Sequence, residues 1–275
     1  MRLKNYFLAL LGIILIVVSY FLAIVKNFHY FYSILVIGNF LLYNSLYYLF
    51  NKKYFLNLKS WVKFYLALIP IGIIADMFMA RMLSKLHHYP FYGPINYVIL
   101  YLVIYPLGGL ILVYCYFLIK SLFKNQKNKK INSGLIKNVL IIGLILFIFL
   151  VLITLIYRKS MPLFGFWIFA WPTFAGFFLT NLINFSISKN CLIGEIISLQ
   201  RSVILSIIFT MFFNCFLHEI PNTFVYEWVY HQNFPLMNIM IFRIPLLVII
   251  LGWLAMTIIT VSYFQLLKNL KYIKD

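Results

Sequence analysis

Apolar residues in this chain neither alternate nor keep to one face of a helix; they run on without interruption. Eight nearly uncharged stretches, at about 6–25, 30–50, 61–82, 96–119, 138–157, 163–184, 202–220 and 239–265, follow one another. Each is long enough to cross the ~30 Å hydrocarbon core of a bilayer at 1.5 Å per residue. Short connections rich in lysine separate them. The pattern predicts an all-α fold, a polytopic transmembrane helical bundle of about eight spans. An outer-membrane barrel would need short alternating segments, and the continuous runs exclude it. The opening stretch, MRLKNYFLALLGIILIVVSYFLAIV, has a basic head and a long apolar body. A cleaved signal has a shorter core and a small-residue exit, so an uncleaved first span is expected.

Composition agrees with this reading. Apolar residues make up 64% of the 275 positions, and mean hydropathy is +0.98. A soluble domain is nearer half apolar. The net charge of +18 does not point to nucleic acid, because the basic residues sit in connections between spans and no basic domain stands apart. Of the 23 Lys and Arg side chains, 17 lie at the N-terminus, in 51–63, 120–137 and 185–201, or at the C-terminus. The positive-inside rule then puts both termini in the cytoplasm of a multi-pass cell-membrane protein. The segment KSLFKNQKNKKINSGLIKN divides the chain into a four-span half at 1–119, a basic linker at 120–137 and a second four-span half at 138–275. Cys115, Cys191 and Cys215 form no CxxC and no close pair with His, and read as small apolar side chains.

Only five acidic residues occur, so their positions carry weight. Spans three and seven each end in one of them: Asp76 is followed twelve positions later by His88, and Glu219 twelve positions later by His231. One offset of 143 relates both pairs and also sets Phe91 on Phe234. ADMFMARMLSKLHHYPF and HEIPNTFVYEWVYHQNF therefore read as one element in two copies, within a 4+4 parallel internal repeat. Asp76 and Glu219 fall ~23–26 Å from the cytoplasmic edge at 1.5 Å per residue, in the outer third of the bilayer. A charge at mid-membrane costs ~2.5–3.5 kcal/mol and less toward the interface, and such residues commonly face a bundle interior or a cavity. Read as a helix, the second copy aligns Glu219, Asn222, Thr223, Tyr226 and Tyr230 on one face. Pro221 is expected to kink or restart that helix. In the first copy Asp76 and His87 share a face.

The structural alternatives are an ion pair of the acids with Arg81 or Arg243, and an aromatic belt for Tyr226, Trp228 and Tyr230. Trp253 lies well inside span eight, away from such a belt. His87, His88, His218 and His231 show no HExxH or CxxC spacing, so no metal is expected and they read as interfacial groups or proton relays. Pro106 and Pro245 are expected to kink spans four and eight. Asn181 and Asn184 in WPTFAGFFLTNLINFS, and Asn39 and Asn44 in GNFLLYNSLYY, read as interhelical hydrogen-bonding glue.

From Glu219 to Met256 the chain runs acid, aromatics, Phe–Pro, a ten-residue gap to Pro245, then Trp253. This resembles membrane carotenoid-biosynthesis proteins of the bisanhydrobacterioruberin hydratase type, and is more distantly similar to small lycopene cyclase domains. The resemblance covers about forty residues, echoed loosely at 76–118. It departs at IPLLVII, where the cyclases carry paired acids. It implies an acid ending one span, an aromatic loop and a following span with Pro and Trp. The expected function is proton delivery from Glu219, with Asp76, to a C=C bond of a polyprenoid lipid. Trp228, Tyr226, Tyr230, Trp253, His231 and His88 are the expected substrate-binding residues, and no cofactor is called for. The alternatives are a small-molecule or ion transporter component and a non-catalytic membrane assembly partner.

Overall fold

The computed structural model describes residues 2–123, 132–157, 165–231 and 237–274, apart from the side chains of residues 165, 166 and 168. The basic cluster at 124, 127, 129 and 130, the pair at 158 and 159, and Phe234 lie outside the described residues. Seven helices among those described are long and apolar enough to cross a membrane: α1 (Arg2–Lys26), α2 (Phe31–Asn51), α3 (Leu58–Leu83), α4 (Pro94–Leu122), α5 (Ser133–Tyr157), α8 (Arg201–Val225) and α9 (Val248–Asn269). α6 (Gly165–Ser188) covers the sixth expected span but is not one of the seven. A short α7 (Leu192–Ile197) follows it. The chain is an all-α polytopic membrane protein.

Burial grades across the bundle. α4, α8 and α9 form the interior, while α1 and α5 present long apolar surfaces outward. On α5 the exposed side chains include Ile142, Ile145, Phe149, Leu152 and Ile156, a stripe that water would not accept and lipid does. The first pair, α1 on α2, is matched by α5 on α6; α2 packs on α4 as α6 packs on α9, and α3 on α4 as α8 on α9. The α1–α2 pair is close because Gly12 and Gly38 face each other. A Cβ on Gly12 would stand 2.7 Å from the Gly38 carbonyl oxygen. In the second half Asn181 Nδ2 donates to Ser262 Oγ (3.0 Å), Asn184 Nδ2 donates to the Ser262 carbonyl (3.0 Å), and Asn181 Oδ1 accepts the Ile193 N–H (3.1 Å).

Carbonyls freed by two of the prolines find hydroxyl donors on other helices. α8 runs through Pro221 and ends at Val225. The carbonyl that Pro221 leaves without a helical donor, that of Leu217, accepts the Tyr20 hydroxyl of α1 (2.8 Å). In the same way the Leu102 carbonyl, freed by Pro106, accepts the Tyr65 hydroxyl (2.5 Å). Pro245 is not in span eight at all. It lies in β4 (Ile244–Pro245), paired with β3 (Met240–Ile241), and α9 begins three residues later.

Three stretches wind as π-helix: Ile73–Leu83 in α3, Leu100–Ile104 in α4 and Val248–Trp253 in α9. The extra residue per turn re-aims side chains, and such segments recur at functional sites. Beyond α3 and α8 the chain forms two short strands, β1 (His87–His88) and β2 (Val229–Tyr230), which pair antiparallel with His87 opposite Tyr230 and His88 opposite Val229. The His231 N–H donates to the Leu86 carbonyl (2.9 Å) and extends the ladder.

Candidate functional site

Asp76 is carried on the π-helical end of α3 and is 4% exposed. His87 Nε2 lies 2.8 Å from its Oδ1, the Tyr101 hydroxyl donates to Oδ2 (2.7 Å), and Arg81 Nε stands 3.4 Å from the same oxygen. Arg81 in turn rests against the ring of Tyr97, 4.3 Å from its centroid. Asp76 is thus an ion-paired carboxyl held by one strand and by the π-helical turn of α4. Asp76 and His87 do meet, although not along a shared helical face: α3 has ended, and β1 carries the imidazole back.

Glu219 is 3% exposed and sits on α8. Three donors converge on it. Trp228 Nε1 donates to Oε2 (3.1 Å), while the Tyr230 hydroxyl (2.8 Å) and Trp253 Nε1 (3.0 Å) donate to Oε1. None of the three carries a formal charge. The helical face expected from Glu219 to Tyr230 does not form, because Tyr226 adopts a left-handed conformation (φ 55°) that ends α8 and turns the chain. Asn222 then clamps the turn, accepting the Trp228 N–H (3.1 Å) and donating to the Trp228 carbonyl (2.9 Å). That clamp brings the indole back over Glu219. Trp253 comes from the π-helical start of α9.

The two carboxyls line one cavity of about 190 Å³. Its walls include Tyr32, Tyr89, Tyr105, His87, His218, Trp228, Tyr230 and Trp253, and much of the rest is aliphatic, with Leu68, Ile71, Ile111, Leu112, Val248, Met256 and Ile259. The two hydrogen-bonded groups meet where the strands pair, since the rings of His87 and Tyr230 are 5.8 Å apart. Tyr89, at the cavity's outer end, shares a hydrogen bond with Tyr105 (2.8 Å), and burial, followed by the nearby Asp76 charge, pushes its hydroxyl well above the usual phenol range. Burial likewise raises the Tyr230 hydroxyl, with Glu219 as the next cause, so both phenols remain donors. Among the described residues no group of three or more His, Cys, Asp or Glu side chains is arranged to hold a metal ion.

Three expected binding residues lie elsewhere. Tyr226 is 56% exposed at the end of α8. His88 points away from the cavity because alternate residues of β1 face opposite ways; it stacks on His231, with ring centroids 4.9 Å apart and Nδ1 and Nε2 3.2 Å apart. Burial, then His88, lowers the His231 imidazole. Arg243 is no counter-ion to Glu219: it sits exposed in the β3–β4 turn, over the ring of Phe224. Glu227 is wholly buried but outside the cavity lining, accepting the Tyr32 N–H (3.1 Å) and the Tyr92 hydroxyl. Burial pushes its carboxyl up to about 8.

One histidine read from the sequence as an interfacial group or proton relay belongs to the cavity lining. His218 lies between the rings of Tyr32 and Trp253, each 5.3 Å away, and its Nε2 is 2.9 Å from Asn39 Nδ2, so Asn39 is joined to the site as well as to helix packing. Tyr32, Tyr89 and Tyr105 of the cavity wall were not singled out from the sequence, and the i, i+4 run Tyr97, Tyr101, Tyr105 was the available signal for Tyr105. No family model matches the chain, nor does any curated protein sequence or any solved structure.

Proposed function

We propose that the cavity is the active site of a membrane enzyme that protonates a C=C bond near one end of a polyprenoid chain. The observation that carries this reading is the convergence of Asp76 and Glu219, from separate parts of the chain, on one aromatic-lined space. Their surroundings assign the roles. Asp76 has Arg81 and His87 beside it and serves as an anion. Glu219 has only neutral donors, so protonating it breaks no ion pair. In the step, Glu219 gives its proton to one alkene carbon, the π pair becomes the new C–H bond, and a carbocation is left on the neighbouring carbon. The aromatic rings around the space and the Asp76 carboxylate stabilise that charge. A space somewhat larger than the ~150 Å³ that accepts a benzene ring suits one end of a long chain, with the remainder in the bilayer.

The same reading takes α6 as an eighth span, puts both termini in the cytoplasm, and treats the chain as two four-span copies. It is supported by the equivalent helix packing within each half. It is also supported by the strand pair, which sets His87 against Tyr230, 143 positions on, just as Asp76 and Glu219 are related.

The test is Glu219→Gln in a host that makes long-chain polyenes, with lipid extracts compared by mass spectrometry. The native chain yields a new isoprenoid product. Gln, folded and membrane-inserted, lowers it by ~10²-fold or more, the range for loss of a positioned acid. An unchanged product from the folded variant refutes the reading.

A further inference from the structure

We propose that His88 and His231 form a two-imidazole site for a divalent transition-metal ion, Cu²⁺ binding tightest, which straps together the loops that follow α3 and α8. The site lies outside the cavity and does not depend on the reaction proposed above. The strand pair builds it. β1 and β2 set His88 opposite Val229, and the ladder continues as the His231 N–H donates to the Leu86 carbonyl (2.9 Å). His88 and His231 are therefore diagonal neighbours on one face of the ladder, a separation that long side chains bridge. His88 Nδ1 and His231 Nε2 stand 3.2 Å apart, with ring planes at 26° and centroids at 4.9 Å. Two nitrogens held at ~2.0–2.1 Å by one tetrahedral cation stand about 3.3–3.4 Å apart, and two adjacent ones in a square plane about 2.9 Å apart. The observed spacing lies between these values, so a cation needs only a turn of each ring to sit between the nitrogens.

The surroundings select the ion. Neutral imidazole nitrogens suit Cu²⁺, Ni²⁺ and Zn²⁺, whereas Ca²⁺ and Mg²⁺ need oxygen ligands. Among the described residues no carboxylate is at hand: Asp76, Glu219 and Glu227 are buried and hydrogen-bonded elsewhere, and Glu195 pairs with Lys120. Water therefore completes the coordination shell. His88 is exposed and His231 half-buried, so an ion reaches the pair from solvent. Lys85, exposed in the same loop, disfavours added positive charge on His231. That opposition weakens every cation and leaves Cu²⁺, the strongest binder of the series, as the best occupant. Without a cation one nitrogen donates its proton to the other. The ion takes the place of that proton, and each imidazole keeps a hydrogen on its other nitrogen. The two ligands are 143 positions apart, so no local motif such as HExxH announces them. The neighbouring residues His87 and Tyr230 pair across the same strands and line the cavity. A bound ion thus ties one part of the cavity wall to the other.

The test uses the full chain in detergent micelles, free of any polyhistidine tag and of metal, with CuCl₂ alone as the probe. Electron paramagnetic resonance, with spin-echo modulation from the remote imidazole nitrogens, is expected to show one Cu²⁺ per chain held by two imidazoles. His88→Gln and His231→Gln are each expected to leave a single imidazole and to weaken binding tenfold or more, since even the loss of an outer-shell partner costs that much. His29→Gln is expected to leave the signal unchanged, because His29 Nδ1 is engaged 2.8 Å from the Val225 carbonyl. Saturating Zn²⁺ is expected to slow hydrogen exchange of the His231 N–H in the native chain and in neither of the two ligand variants. A native chain that binds no Cu²⁺ saturably, or shows one imidazole only, overturns the inference whether or not any variant folds. Equal binding by the native chain and both folded variants overturns it too, because the ion then lies elsewhere. Exchange that Zn²⁺ leaves unchanged overturns the strap.

Discussion

Glu227 offers a prediction whose size follows from its surroundings. It stands two residues beyond α8, is 0% exposed, and is surrounded by donors from α2 and the loop before α4. Burial raises its carboxyl from 4.5 to about 8. Between those values the folded protein keeps a proton that the unfolded chain has released, so stability falls as pH rises through this window and levels off above the folded value. The accumulated loss is about 2 kcal/mol at pH 6 and about 5 kcal/mol at pH 9, a decline of about 3 kcal/mol between them. Glu227→Gln removes the titration. It carries a pH-independent cost of about 1 kcal/mol, because the amide keeps one acceptor oxygen where the carboxyl has two, and its NH₂ only donates, so the Tyr32 N–H and the Tyr92 hydroxyl can no longer both donate to side-chain oxygens. Unfolding in detergent, followed by tryptophan fluorescence at pH 6 and pH 9, should therefore show the native chain losing several degrees of midpoint that the variant keeps. Parallel pH curves for the two proteins would refute the reasoning, since they would mean that the buried carboxyl titrates alike in both states.

Trp253→Phe removes one of the three donors on Glu219 and is expected to cost about 2 kcal/mol in denaturant titration; Trp253→Ala, which also opens a void, should cost more. Arg81→Leu takes the cation from beside a buried carboxylate and from the face of Tyr97, and a loss of about 3 kcal/mol is expected, eased by Asp76→Asn in the double variant. Gly12→Val forces a side chain into the Gly38 carbonyl, where an added Cβ would already be at 2.7 Å. It should destabilise the α1–α2 pair by about 2 kcal/mol and leave hydrogen exchange of α5 and α6 unchanged.

Seven of the eight expected spans were legible because hydropathy over some twenty residues is set by the solvent, and the bilayer enforces it regardless of packing. The companions of Glu219 were also legible: Trp228, Tyr230 and Trp253 stood out as aromatics near a scarce acid, and all three reach its oxygens. The choice between His87 and His88 was not. It depends on which face of a two-residue strand points inward, and nothing in LHHYP marks a strand. π-helical turns leave no compositional trace, so the convergence of Tyr101 on Asp76 was out of reach. The partner of the carbonyl that Pro221 frees was hidden for a related reason: the sequence announces the missing N–H, whereas the tyrosine that compensates for it is 197 residues away. Arg243 was set beside Glu219 because span eight was begun too early, and its position in the β3–β4 turn puts it at the surface.

The meeting of His87 with Tyr230 and of α4 with α8 has a consequence for how the molecule can be assembled. Each acid has its hydrogen-bonding shell within its own half, yet the wall between them exists only when the halves lie side by side. Two separate polypeptides, one ending after α4 and the other starting before α5, therefore hold complementary surfaces, and co-expression should rebuild the hollow that neither encloses alone.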